Sequence, residues 1–185
     1  RMTPDGGNEL LKLAEDGNWE PFIKTGMEDA LTTDAIGLDG TGNVLYMMDS
    51  RKRDTAALVA VDLRTGEEAL LASDPRADLS GTIDHPREKR VQAAAFMYER
   101  RRWQILDQTI AEDLACIQKV SPGDFHVVSR TLDDKAWIVA YVVDDGPRRY
   151  YHYVRGKKEA TFLFTDREAL EGLPLAKMNP AVIRS

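Results

Sequence analysis

The chain has 185 residues, of which 43% are apolar and 30% charged, with a net charge of -6 and one cysteine, Cys116. That length fits one domain able to bury a core, and the composition excludes a disordered class. An acidic balance works against the counterion release that drives phosphate binding, so no nucleic acid is expected as a partner; no internal disulfide is possible, and no apolar run reaches the roughly 20 residues of a membrane-spanning helix, so no membrane is expected either.

In chain order, the first readable element is an alternating run at residues 10–13, a turn at Glu15-Asp16-Gly17-Asn18 and a second run at 19–24. Alternation on both sides of a glycine turn predicts a β-hairpin. Residues 34–38, the turn Asp39-Gly40-Thr41-Gly42 and residues 44–49 form a second pair of runs. Residues 58–63, the turn Arg64-Thr65-Gly66-Glu67 and residues 68–72 form a third. Together these two pairs predict four consecutive strands.

The next stretch is irregular. Residues 82–85, 91–98 and 102–106 read as three strands, but where a fourth should begin the apolar period changes from 2 to about 3.6. Asp107 can cap a helix through Ile110, Leu114 and Ile117, which Ser121-Pro122-Gly123 would end, giving a helix near 107–120. Four strands are then predicted again: 125–130, 137–144 across the turn Asp133-Asp134-Lys135, 150–154, and 159–164 across Arg155-Gly156-Lys157-Lys158. A short helix is expected near 166–171, with Thr165 and Glu168 spaced as a capping box and Gly172 as its stop.

The three hairpin glycines, Gly17, Gly66 and Gly156, lie one and then two periods of about 45 to 49 residues apart, the period of a propeller blade. The fold expected is all-β, an incomplete β-propeller of about three and a half four-stranded antiparallel blades. Residues 1–174 form the partial propeller: 8–24 the outer hairpin of a truncated blade, 33–73 a blade, 80–120 an irregular blade carrying the helix, and 124–165 a blade. Residues 175–185 read as a linker toward another domain, with residues 182–185 starting a strand, so the chain reads as part of a longer protein.

Chemistry-bearing patterns are sparse. No G-x-S-x-G elbow occurs around Ser50, Ser73, Ser80, Ser121, Ser129 or Ser185, and His85, His126 and His152 show no metal-ligand spacing. No catalytic, cofactor-binding or metal-binding residue is therefore assigned, and no cofactor is expected. His85-Pro86, beside Arg87 and Arg90, could present groups to a ligand, but a strand-ending turn is the preferred reading. Glu99-Arg100-Arg101-Arg102 reads as a solvated hairpin tip, Trp19, Trp103 and Trp137 as core packing, and Cys116 as an inert thiol.

Several of these residues together resemble a known family. The series Ile83-Asp84-His85-Pro86, Val91-Gln92-Ala93-Ala94-Ala95-Phe96, Glu99-Arg100-Arg101 and Trp103, then the helix, then Leu132-Asp133-Asp134-Lys135-Ala136-Trp137, Asp144-Asp145-Gly146-Pro147, Tyr150-Tyr151 and Phe162-Leu163-Phe164, is similar to the last propeller blades of bacterial prolyl oligopeptidase family serine peptidases. Within that family it most resembles the acylaminoacyl-peptidase and dipeptidyl-aminopeptidase branch. The resemblance implies a propeller that gates access of short peptides to an α/β-hydrolase domain that holds the catalytic Ser, Asp and His, so that this stretch alone is no enzyme. Its implied partners are that hydrolase domain and the parent's peptide substrate. The alternative is part of a TolB-type or WD-type propeller acting as a protein interaction module. Blade faces left uncovered predict self-association. No leader pattern stands at Arg1, and a cytoplasmic location is expected.

Overall fold

The computed structural model describes residues 1–183, and its regular structure is almost wholly antiparallel β. It divides into two compact units, residues 1–79 and the residues from Ser80 onward.

In the first unit, β1 (Asn8–Leu13) and β2 (Trp19–Thr25) form a two-stranded hairpin. β3 (Asp34–Leu38), β4 (Val44–Asp49), β5 (Ala57–Asp62) and β6 (Glu68–Ala72) form a four-stranded meander in sequence order. Alternation explains which sides are covered: Leu45 and Met47 of β4 point to the same side and pack with Ile23, Val59 and Val61 in one apolar cluster. Asp49, also fully buried, is neutralised by a two-pronged ion pair from Arg51, Nε to Oδ1 at 2.9 Å and Nη2 to Oδ2 at 3.1 Å. The turn before β4 is built by Asp39, whose Oδ1 accepts from the Asn43 and Val44 amides at 3.0 Å each.

In the second unit, β7 (Leu79–Asp84), β8 (Val91–Met97) and β9 (Arg101–Ile105) form a three-stranded sheet. β10 (Asp124–Arg130), β11 (Ala136–Val142), β12 (Arg149–Val154) and β13 (Glu159–Thr165) form a second four-stranded meander. The expected helix lies between them. Asp107 caps it, its carboxylate accepting from the Thr109 amide, but the first turn, Gln108–Ile110, is 3-10 before α1 (Ala111–Ile117) becomes α-helical. A seven-residue helix is marginal alone. Here it is held by burial of Ile110, Leu114 and Ile117 against Phe125, Trp137, Val139 and Tyr153, and by the Tyr141 hydroxyl, which donates to the Ile117 carbonyl at 2.7 Å.

The fold class read from the sequence is borne out: all-β, with meanders in the strand order of propeller blades and one inserted helix in place of a fourth strand. Three local expectations are corrected. The capping box at Thr165 and Glu168 does not form: Thr165 is still in the ladder opposite Arg149, the 3-10 turn Glu168–Leu170 has Arg167 at its N-cap position, and no side chain caps it. Trp19 is not core: it begins β2 opposite Leu13, beside the turn of a two-stranded ribbon, and its residue surface is 66% exposed. Val182 and Ile183 carry no strand, since a strand needs a hydrogen-bonded neighbour; Arg184 and Ser185, the rest of that expected strand, lie outside the described residues.

Candidate functional site

The densest polar constellation of the second unit joins α1, the β10–β11 turn and β12. Asp113 lies on the apolar side of α1, three residues after Ile110 and four before Ile117, and is completely buried. Its Oδ2 accepts from Arg155 Nε at 3.0 Å and Nη2 at 2.8 Å, and its Oδ1 from Lys158 Nζ at 2.6 Å and the Tyr153 hydroxyl at 2.8 Å. Burial opposes ionisation of Asp113, but the bonds from Lys158, Arg155 and Tyr153 outweigh it and hold the carboxyl below its ordinary range. Desolvation first, and the hydrogen bond to Asp113 second, push the Tyr153 phenol well above its ordinary value, so it stays a donor.

Asp134 is the second anion of this constellation. It sits in the left-handed region at φ 55°, in the tight turn between β10 and β11. Its carboxylate accepts from Trp137 Nε1 at 2.7 Å, from Arg130 Nε at 2.7 Å and Nη2 at 2.5 Å, and from Arg155 Nη1. The Trp137 ring, 1% exposed, has the Arg130 guanidinium 4.5 Å and the Arg155 guanidinium 5.2 Å from its centroid. Arg130 Nη1 also donates to Gln92 Oε1 and to the Asp84 carbonyl, and Gln92 Nε2 donates to Asp107, which Arg90 pairs at 2.7 Å. One chain of charge-assisted bonds thus ties the three-stranded sheet, the helix and the four-stranded sheet together. Its charged members pair with one another, which makes the constellation a clamp.

Beside Arg130 a cleft of about 300 Å³ runs between β7 and β10, with Thr82, Asp84, Lys89, Val128, Ser129 and Arg130 in its walls. β7 and β10 are each the first, edge strand of their sheets, so these walls are strand margins. Desolvation raises the Asp84 carboxyl above its ordinary value, against the Thr82 hydrogen bond and the positive charges of Lys89 and Arg130. The Asp84 residue surface is nonetheless exposed, so the carboxyl stands at the lip of the cleft and the shift has a small energetic effect.

The residues singled out from sequence are dispersed. His85 Nδ1 accepts from the Glu88 amide at 3.0 Å and organises a turn, as the preferred reading had it. His126 and His152 lie in β10 and β12, opposite Ala140 and Ile138 respectively. Ser50 bonds to Asp29, Ser80 to the Ala95 carbonyl and Ser121 to the Pro122 carbonyl. Arg100 is not a solvated charge: it forms a two-pronged pair with Asp144, one arm at 2.8 Å, because the β8–β9 tip folds over the residues after β11. Among the described residues no cluster of three His, Cys, Asp or Glu side chains could hold a metal ion. The clamp was missed because Arg155, which joins its two anions, lies 21 residues from Asp134 and 42 from Asp113, and Lys158 lies 45 from Asp113. One sign was present: Asp113 interrupts the apolar face set by Ile110, Leu114 and Ile117.

No family model matches the chain. It is 44% identical over 185 residues to dipeptidyl aminopeptidase BIII of Pseudoxanthomonas mexicana, covering all of this chain and 27% of that protein. It is 26% identical over 172 residues to dipeptidyl peptidase family member 6 of Caenorhabditis elegans, covering 92% of this chain and 23% of that one. Among solved structures, a prolyl endopeptidase is similar over 83% of this chain and 22% of its own, with a TM-score of 0.53 at 8% identity, which speaks to the fold alone. The chain thus spans about a quarter of the length of the relatives it matches. The resemblance to the propeller of prolyl oligopeptidase family peptidases is borne out, and these matches favour it over a TolB-type or WD-type interaction module.

Proposed function

We propose that this chain, a homologue of one quarter of a dipeptidyl aminopeptidase, is the non-catalytic propeller portion of a serine peptidase and gates the access of short peptides to a separate hydrolase domain. The observation that carries the reading is the 44% identity to dipeptidyl aminopeptidase BIII along the whole of this chain and only 27% of that one. The absence of a G-x-S-x-G elbow from the sequence is consistent with it. In this reading the rest of the parent chain is the principal partner, and the cleft between β7 and β10 is where a passing peptide meets the wall, with Asp84, Thr82 and Ser129 as the groups facing it.

A gate works only if its wall is stiff enough to refuse a long peptide. The Asp113–Arg155–Asp134–Arg130 clamp supplies that stiffness by fixing both walls of the cleft to the same helix. The test is kcat/KM for peptides of increasing length, measured on the peptidase that carries this segment and on its Asp113→Ala variant. Gating predicts a steep fall with length that the variant relaxes while short substrates are cut much as before. An identical length dependence in both proteins would overturn the reading.

A further inference from the structure

The cleft between β7 and β10 is walled by strand margins and not by sheet faces. Its lining takes consecutive residues, 82–84 from β7 and 127–130 from β10. Side chains alternate between the two sides of a strand, so a cavity against a face is lined by every second residue, and consecutive lining brings in the backbone edge. Ile83, buried in the apolar cluster, and its neighbour Asp84, exposed, both reach the cleft, as that geometry requires.

Those edges are open. β7 pairs with β8 alone and β10 with β11 alone. An antiparallel strand turns the N–H and C=O of every second residue away from its partner, so each margin carries a row of unused groups. Among the described residues, no backbone group of Thr82, Ile83, Val127, Val128 or Ser129 bonds outside its own sheet. β10 is also bulged here: Val127 pairs with Val139 and Ser129 with Ile138, which leaves Val128 between them unpaired and 55% exposed. At the C-terminal ends of the two strands arginines span the walls, Arg130 Nη1 donating to the Asp84 carbonyl at 2.8 Å and Arg87 Nε to the Leu132 carbonyl at 2.9 Å. Guanidinium groups between the strand ends keep β7 and β10 from pairing with each other there.

We propose that the cleft takes an extended peptide as an added strand, main chain bonding to main chain along these margins. That the occupant is a peptide rests on the gating reading; how it is held rests on the open edges. The three or four lining residues of each wall span about 10–13 Å, the length of a tripeptide or tetrapeptide in extended form. Every peptide offers the same main-chain donors and acceptors, so such a wall selects for extended shape and accepts many sequences.

The test uses an alanine tetrapeptide blocked at both ends, which carries no charge for Asp84 or Lys89 to attract, and follows the backbone amide signals of this chain by NMR. Binding shifts the signals of Thr82, Ile83, Val127, Val128 and Ser129. Methylating the peptide's amide nitrogens one at a time weakens binding about tenfold at every second position, where a hydrogen bond is lost, and little at the positions between. Val128→Lys, at an exposed position where folding is not in question, sets a charge on the margin and weakens binding too. Absence of the amide shifts, or losses that do not alternate along the peptide, overturns the proposal. Gating is judged separately by the length dependence of kcat/KM in the peptidase that carries this segment: a fall with length without the amide shifts overturns strand addition alone, and alternating losses without that fall overturn gating alone.

Discussion

Arg155 grips the fully buried Asp113 with two donors, Nε at 3.0 Å and Nη2 at 2.8 Å, so the helix that interrupts the β pattern is bolted by a charge to the end of β12. Removing one partner of such a pair leaves the others charged and desolvated. Asp113→Ala is therefore expected to lower stability by about 3 kcal/mol, because Lys158, the Tyr153 hydroxyl and two of the Arg155 donors lose their acceptor while Arg155 keeps Asp134. The measurement is the urea unfolding midpoint, and a loss under about 1 kcal/mol would show that the clamp is not holding the helix.

Gly123 offers a backbone test in the same unit. It has φ of 96°, and a Cβ there would lie 2.2 Å from the Val142 carbonyl oxygen, a contact with backbone that cannot swing away. Gly123→Ala is expected to destabilise by more than about 1 kcal/mol, whereas Gly156→Ala, at a turn position with open space and no left-handed φ, is expected to be nearly neutral. Thermal unfolding of the two variants side by side checks the contrast.

The acid limb of stability follows from the depressed carboxyls. Asp113 and Asp107 are both opposed by burial and held below their ordinary values by hydrogen bonds, Asp113 from Lys158, Arg155 and Tyr153, and Asp107 from Gln92, Thr109 and Arg90. A folded pKa below the unfolded value, about 3.9 for Asp, gives stability that is fully present above that value and is lost as pH falls through the folded one. Asp84 runs the other way: desolvation raises it, so its small penalty is absent in acid, where both states are protonated, and appears as pH rises past the unfolded value. Urea midpoints across a pH series should fall steeply in acid for the parent sequence and more shallowly for Asp113→Asn. Asp84→Asn should be slightly more stable than the parent at neutral pH and equal to it in acid.

Periodicity explains why the strands and the helix cap were legible and the clamp was not. Alternation is a local property, and the runs from Asn8 to Thr165 announce their strands within a few residues; Asp107, Ile110, Leu114 and Ile117 do the same for the helix. Arg155 reads as an ordinary turn residue because its partners Asp134 and Asp113 are distant in sequence and only packing of the sheet on the helix brings them within bonding range. Trp19 misled for the complementary reason: its strand pattern is right, but burial depends on what covers a strand, and beside the hairpin turn this residue is left exposed.

Uncovered apolar strands carry the expectation of self-association. Ile36 and Leu38 on β3, and Phe162, Leu163 and Phe164 on β13, are all exposed, and both strands are sheet edges. Sedimentation velocity over a concentration series should show reversible association, weakened by Leu163→Lys by about tenfold or more if that side chain is buried on association. A monodisperse monomer at crystallisation-like concentrations would contradict it.

The division of labour between this propeller portion and a separate hydrolase domain is tested most directly by treating the purified chain with a fluorophosphonate, which labels only activated serines, while assaying chromogenic dipeptidyl substrates. The account predicts neither labelling nor turnover. A stoichiometrically labelled serine within these 185 residues, with hydrolysis that survives purification, would contradict it.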